Sequence, residues 1–299
     1  MEQRKGGESM RHTYSVWVVG GDQRQARLAE LLAGAGHTVY TFGLERAGAL
    51  EGVEARTELS EAGESDCVVL PLPAMGEKST LNAPLSEQKY PMEEILTAIG
   101  SGPAVCAGRV DPPLRELADR LGVTLHDYAA REEFAVANAV PTAEGALQLA
   151  MEELPVTLHG ARVLVIGFGR LGRALAPRLS ALGARVTVAA RKWSDLAWIK
   201  VSGWEGEHSG QLKGWLCAYD LIINTVPALI LDEGCLHDLK PGCLVLDLAS
   251  KPGGVDFDAA RRLGVPAIWA LSLPGKVAPV TAGVIVRDTV CHILDELGV

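Results

Sequence analysis

No apolar run in the chain approaches the roughly 20 residues that a membrane span requires, so no membrane partner is expected. The six cysteines (Cys67, Cys106, Cys217, Cys235, Cys243, Cys291) are scattered and none forms a C-x-x-C pair. That spacing excludes a zinc site or a disulfide frame and reads as reduced, mostly buried thiols of a cytosolic protein. The seven histidines show no ligand spacing, so no metal is expected, and no Ser-His-Asp pattern suggests itself. Basic charge is also short: 28 Lys and Arg stand against 37 Asp and Glu, a formal net charge of −9. With no Lys/Arg cluster to override it, this balance excludes nucleic acid, whose phosphates need a basic face.

What is present is a globular composition, 48% hydrophobic with 33 glycines, on a 299-residue chain long enough for two domains. The polar stretch "MEQRKGGESMRHTYS" lacks a signal-peptide core, and residues 1–13 read as a disordered leader. Beyond it, apolar β-rich runs alternate with helical patterns, which predicts an α/β protein of parallel sheets with helices on both faces. Strands are expected near 15–19, 38–42, 66–71, 103–107 and 123–126, then near 162–166, 185–190, 220–224, 243–248 and 266–270. Helices are expected over 23–34 and over 112–121, the second after Asp111 with Pro112 and Pro113 in its first turn. Pro141, followed by Thr142 and Glu144, is read as opening a long helix that Pro155 ends. "SGWEGEHSGQLKGW" (202–215) reads as a tryptophan-rich loop, and 281–297 as a terminal helix. The resulting division is an N-terminal, substrate-side α/β domain over 14–130, a connecting segment and helix over 131–154, and a dinucleotide-binding domain over 155–280. The terminal helix is expected to return to the first domain and complete it with 281–299, and a cleft is expected between the two domains.

"RVLVIGFGRLGRALA" (162–176) is a strand, a glycine turn and a helix start, the context in which G-x-G-x-x-G binds a dinucleotide. Gly167 permits the tight turn, Gly169 lets backbone approach a pyrophosphate, and Gly172 lets helix pack on strand; Phe168, Arg170 and Leu171 complete the loop. The other reading is a glycine turn in an empty domain of the same fold. Pro177 falls inside the helix and is expected to kink or break it. The next strand ends in Ala189-Ala190-Arg191-Lys192, where an NAD enzyme would place an acid for the ribose 2′-hydroxyl. Arg191, Lys192 and Ser194 suit a 2′-phosphate instead, so NADP is expected over NAD. Two solvated charges at a strand end are the alternative.

"VVGGDQRQ" (18–25) begins similarly, but position 25 is Gln where the third glycine would stand. Asp22 and Arg24 either face a substrate at the strand's carboxyl end, or form a helix cap and a solvated surface arginine. Two later loops follow strands. "LIINTVPALILDE" (221–233) places Asn224, Thr225 and Pro227 where such enzymes hold the nicotinamide ribose. "LVLDLASKPGGVDF" (244–257) carries Ser250, Lys251 and a Gly-Gly pair, while "LSLPGKVAPVTAG" (271–283) carries Lys276 and Thr281. Lys251 and Lys276 are the candidate catalytic residues: each can neutralise a substrate carboxylate or take part in proton transfer, or else be a surface lysine.

Six phrases in order, "LPLPAMGEKSTLNAPLS" (70–86), "EEFAVANAVPTAEGALQLAMEELPVTLHG" (132–160), "VLVIGFGRLGRALA", "NTVPALILDE", "LASKPGGVDF" and "LPGKVAPVTAG", resemble the A-subunit family of dipicolinate synthase. The resemblance covers nearly everything after about residue 14. Methylenetetrahydrofolate dehydrogenases and S-adenosylhomocysteine hydrolases are similar more weakly. The resemblance implies two Rossmann-like, doubly wound domains and a sporulation enzyme in the mother-cell cytoplasm. It also implies NADP-dependent oxidation of dihydrodipicolinate, or a hydroxytetrahydrodipicolinate precursor, to dipicolinate; the implied partner is a flavoprotein-like B subunit. A homo-oligomer or such a heteromer is expected. Two substrate carboxylates call for cations or N–H donors, for which Arg24, Lys251 and Lys276 are the candidates, with Asp22 and Thr281 as further substrate-side residues. The alternatives are a non-catalytic NADP-binding scaffold whose partner performs the redox step, or an NADP-dependent dehydrogenase of another small acid.

Overall fold

A computed structural model describes residues 13–299; of the leader expected over 1–13, only residue 13 is among the described residues. The chain divides into two compact units: the first runs to Phe134 and takes back Pro279–Val299, and the second is Ala135–Ala278.

In the first unit the strands are β1 (Ser15–Val19), β2 (Thr38–Phe42), β3 (Glu54–Ala55), β4 (Cys67–Val69), β5 (Ala104–Ala107) and β6 (Leu125–Asp127). They form one sheet in the order β3-β2-β1-β4-β5-β6, every pair parallel. Runs such as Val-Trp-Val-Val and Cys-Val-Val are apolar at successive positions because helices cover both faces of a parallel sheet. Helices α1 (Gln23–Gly34), α2 (Met92–Ile99) and α3 (Pro112–Arg120) supply most of that cover. Each Asp before α1 and α3 caps it: Asp22 accepts from the Arg24 N–H and Asp111 from the Leu114 N–H. Trp17 lies wholly inside, its ring 5.1 Å from that of Tyr40. Side chains of this size each contribute on the order of 2 kcal/mol by leaving water.

Helix α4 (Glu132–Glu153) leads into the second unit. It starts nine residues before the proline that the sequence marks as its opening, with Pro141 inside it. The two acidic residues of its first turn, Glu132 and Glu133, suit the positive end of the helix dipole. Next to the proline, the Thr142 hydroxyl donates to the Asn138 carbonyl at 2.6 Å.

The second sheet holds β7 (Arg162–Ile166), β8 (Arg185–Ala190), β9 (Glu205–His208), β10 (Leu221–Asn224), β11 (Leu244–Asp247) and β12 (Ala267–Trp269). Its order is β12-β11-β10-β7-β8-β9, again wholly parallel, so both units repeat one doubly wound topology. Period-two alternation sorts its side chains. Val163 and Val165 join Leu147 and Ala150 of α4 on one face, while Leu164 and Ile166 join Leu236 and Ala259 on the other. The helices are α5 (Arg170–Ala181), α6 (Trp193–Val201), α7 (Glu233–His237), α8 (Phe257–Leu263) and α9 (Leu273–Val277). Contrary to the break expected at Pro177, α5 runs through it. The proline takes the exposed face while Gly172, Leu175, Ala176 and Leu179 anchor the buried one, and the Arg178 guanidinium bonds the Ala174 carbonyl. The segment expected as a tryptophan-rich loop contains edge strand β9.

Helix α10 (Pro279–Leu297) belongs to the first unit and packs along α1. Gly283 makes the closest approach: a Cβ there would lie 3.1 Å from the Leu28 nitrogen and 3.2 Å from the Arg24 carbonyl oxygen. Among the described residues no helix is long and apolar enough to cross a membrane.

Candidate active site

The turn after β7 is shaped around a missing set of side-chain atoms. Gly167 has φ +103, and a Cβ there would meet the Thr225 hydroxyl at 2.3 Å. A Cβ on Gly172 would lie 2.0 Å from the Gly167 carbonyl oxygen, so the first turn of α5 can approach β7 only as glycine. Gly169 differs, because a Cβ there meets nothing within 4 Å. Its absence is not required by the protein's own packing, which leaves the space for a ligand. No side chain caps the helix that Gly169 opens, and such an N-terminus attracts an anion through its N–H groups and dipole. The residues present therefore fit a dinucleotide pyrophosphate. Phe168 is nearly buried; Arg173 lies over its ring at 5.0 Å and donates to its carbonyl. Leu171 is partly buried against the core, and Arg170 is exposed in the first turn of α5.

At the end of β8, Ala189 and Ala190 are buried and no carboxylate follows until Asp195, which faces Arg173 at 3.5 Å. Arg191, Lys192 and Ser194 are all exposed there. His208, which carries no signal in the sequence, fixes this turn. Its Nε2 lies 3.1 Å from the Arg191 carbonyl and its Nδ1 accepts from the Gly210 N–H at 3.2 Å. Trp193 lies against the same imidazole, ring centroids 5.4 Å apart. Just beyond, a cavity of about 360 Å³ is lined by Gln211, Leu212, Lys213, Leu229 and Ile230 among others. Lys213 donates to Asp232 at 2.8 Å, and this bond, with the Cys235 N–H, pulls the Asp232 carboxyl down to about 2.

The loops after β10 and β11 are knitted together. Asn224 and Asp247 are both wholly buried. Asn224 Nδ2 donates to the Asp247 carboxylate at 2.8 Å and to the Val226 carbonyl at 2.9 Å, while its Oδ1 accepts from the Val226 N–H. Asp247 also accepts from the Ala249 N–H at 3.1 Å and the Gly254 N–H at 2.7 Å. A Cβ on Gly254 would lie 2.2 Å from Asn224 Nδ2, and the Ile230 and Leu231 N–H groups return to the Gly254 carbonyl. The Asn224 amide is thus engaged inside the protein, where it sets the path of the loop. Thr225 donates to the Ile166 carbonyl at 2.8 Å, beside Gly167. Pro227 is exposed just beyond. Lys251 and Ser250 are exposed on the loop after β11, and Lys276 is exposed on α9.

In the first unit, Asp22 and Arg24 pair with each other. Arg24 Nε and its terminal nitrogen grip the Asp22 carboxylate at 3.0 and 2.9 Å, and the same terminal nitrogen donates to the Leu72 carbonyl at 2.8 Å. Asp22 is the cap that the sequence allowed, but Arg24 is 5% exposed and no solvated surface residue. The pair sits at the carboxyl end of β1, after the left-handed Gly20 and Gly21. Thr281 is exposed on α10, also in the first unit.

Two family models match the chain in succession. The model for the N-terminal domain of the dipicolinate synthase A subunit matches residues 15–129. That for the NAD binding domain of D-isomer specific 2-hydroxyacid dehydrogenases matches 130–245. The dipicolinate synthase A subunit of Bacillus subtilis (strain 168) is 33% identical over 94% of this chain and 96% of the relative. The crystal structure of the Bacillus halodurans A subunit superposes with a TM-score of 0.86 at 32% identity, covering 94% of this chain and 97% of the other. That of its Bacillus subtilis counterpart gives 0.85 at 31% identity, over 98% and 99%. The chain belongs to the A-subunit family of dipicolinate synthase.

Proposed function

We propose that the chain oxidises dihydrodipicolinate, or a hydroxytetrahydrodipicolinate precursor, to dipicolinate with NADP⁺ as acceptor. The carrying observation is the cradle Gly167–Gly172, where the vacant volume at Gly169 and the uncapped start of α5 suit a pyrophosphate, in a chain of this family. Aromatising a dihydropyridine dicarboxylate removes a hydride and a proton, a hydroxytetrahydro precursor first losing water, and bound NADP⁺ would supply the hydride acceptor. The protein's own part is to hold the ring and its two carboxylates in place and to move the proton. Exposed Lys251 and Lys276 are the proposed groups for these tasks in the second unit. Asn224 and Thr225 are proposed to serve the nicotinamide ribose through the loop they shape. The reading places the chain in the mother-cell cytoplasm beside a flavoprotein-like B subunit.

Mixing the purified chain with NADP⁺ and dihydrodipicolinate, without any partner, tests this directly. NADPH absorbance should rise and dipicolinate accumulate in equal amount. Tight NADP binding without turnover would overturn catalysis by this chain in favour of a cofactor-holding scaffold.

Choice of NADP over NAD rests on the end of β8, where Arg191 and Lys192 stand and a carboxylate does not. Arg191→Ala should weaken NADP by roughly tenfold to a hundredfold, the range of a lost charge-assisted contact. NAD binding should stay nearly level, and an equal loss of both, read by calorimetry, would exclude the 2′-phosphate role.

A further inference from the structure

Arg109 follows β5 with φ +61, a left-handed backbone that side chains avoid and that this chain elsewhere assigns mostly to glycine. The conformation is held firmly. Asp127 accepts the Arg109 N–H at 3.0 Å with one oxygen and the Val110 N–H at 2.8 Å with the other. The first oxygen also takes the Ala129 and Ala130 N–H groups, at 2.9 and 3.2 Å. On the other side, Gly108 is pressed into the loop after β4. Its N–H donates to the Pro71 carbonyl and its carbonyl accepts from Ala74. A Cβ on Gly108 would lie 2.6 Å from the Tyr128 hydroxyl and 2.7 Å from Leu72 Cβ. The backbone around Arg109 is therefore fixed while its side chain is exposed and forms no ion pair among the described residues. Strain kept by surrounding structure at a residue that glycine would relieve points to use of the side chain.

Position supplies the rest. Parallel α/β sheets receive ligands at the carboxyl ends of their strands. Arg109 stands at that end of β5, and its turn abuts Leu72, whose carbonyl Arg24 holds. Arg24 has its charge matched by the bidentate Asp22, so it offers an incoming anion little net attraction. No carboxylate among the described residues matches the Arg109 charge in this way. We propose that Arg109 binds a carboxylate of the ring dicarboxylate on which the chain acts, a guanidinium presented on a rigid turn instead of a flexible loop. This rests on the dicarboxylate reading above.

Arg109→Gly removes the guanidinium and relieves the backbone, so the variant should melt no lower than the native chain. Isothermal titration of the full chain with dipicolinate, in saturating NADP⁺, should show affinity lost by roughly tenfold to a hundredfold. NADP affinity should be unchanged, and Arg109→Lys should recover part of the loss. Equal dipicolinate binding by native chain and Arg109→Gly would overturn the proposal alone. A native chain that binds NADP but no dipicolinate would overturn the dicarboxylate reading and this proposal with it.

Discussion

Replacing Gly172 by alanine is expected to unsettle the cofactor unit, whereas the same change at Gly169 is expected to leave it intact and still weaken nucleotide binding. The two glycines are three residues apart and differ in what surrounds them. At position 172 the new methyl would stand 2.0 Å from the Gly167 carbonyl oxygen and 2.9 Å from its carbon. Both are backbone atoms at the end of a central strand, so neither yields as a flexible side chain would. Helix α5 must then back away from β7, opening the packing of buried Leu175 and Leu179. Overpacking of this kind costs about 1–3 kcal/mol, and here the upper part of that range is expected. At position 169 the backbone has φ −79 and ψ −161, which alanine adopts without strain, and the methyl meets nothing. Thermal melts should thus separate the variants, with only Gly172→Ala falling. NADP titration should unite them, each weaker by at least about tenfold, because a methyl at 169 fills the space the pyrophosphate needs. Full NADP affinity in Gly169→Ala would mean the open volume serves no ligand.

This contrast marks what was legible in the sequence. A glycine turn between an apolar strand and a helix announces itself because all its steric demands lie within a few residues. The paired doubly wound sheets were legible for a similar reason, since most of the buried strands are short, continuous apolar runs. Strand β9 was not: Glu-Gly-Glu-His carries no strand propensity and is ordered by pairing with β8 at the sheet edge. Pro141 misled because a proline signals a helix start only where the preceding turn is not already helical. The acidic pair Glu132-Glu133, nine and eight residues earlier, was the better marker. Arg24 could not be placed from its neighbours, because the Leu72 carbonyl that draws it inside lies 48 residues away. His208 was invisible for the same reason, its partner Arg191 being on the adjacent strand end. Arg109 gives no local hint either, since its backbone is dictated by Asp127, 18 residues later.

Asp247 is equally silent in the sequence, and its loss should be among the most damaging single changes in the second unit. Its carboxylate is wholly buried and serves three donors: the Asn224 amide, the Ala249 N–H and the Gly254 N–H. Alanine would strand the Ala249 and Gly254 N–H groups away from water and leave the Asn224 amide with only its bond to the Val226 carbonyl. A buried donor left without a partner costs about 1–3 kcal/mol, so a loss of roughly 3 kcal/mol or more is expected, on the order of 10 °C in the melting temperature of a unit this size. Asp247→Asn keeps the shape but presents an NH₂ to one of these donors, so it should recover only part of the stability. The damage also reaches the site, because Asp247 joins the strand end bearing Asn224 and Thr225 to the loop bearing Lys251. Trp269 reports on that loop directly, its indole N–H donating to the Ala249 carbonyl at 2.9 Å while the ring stacks on Phe257. Tryptophan fluorescence should therefore change in Asp247→Ala below the melting transition, with NADP binding weakened in parallel. A variant with native fluorescence and native NADP affinity would show that the two loops hold their course without the buried carboxylate.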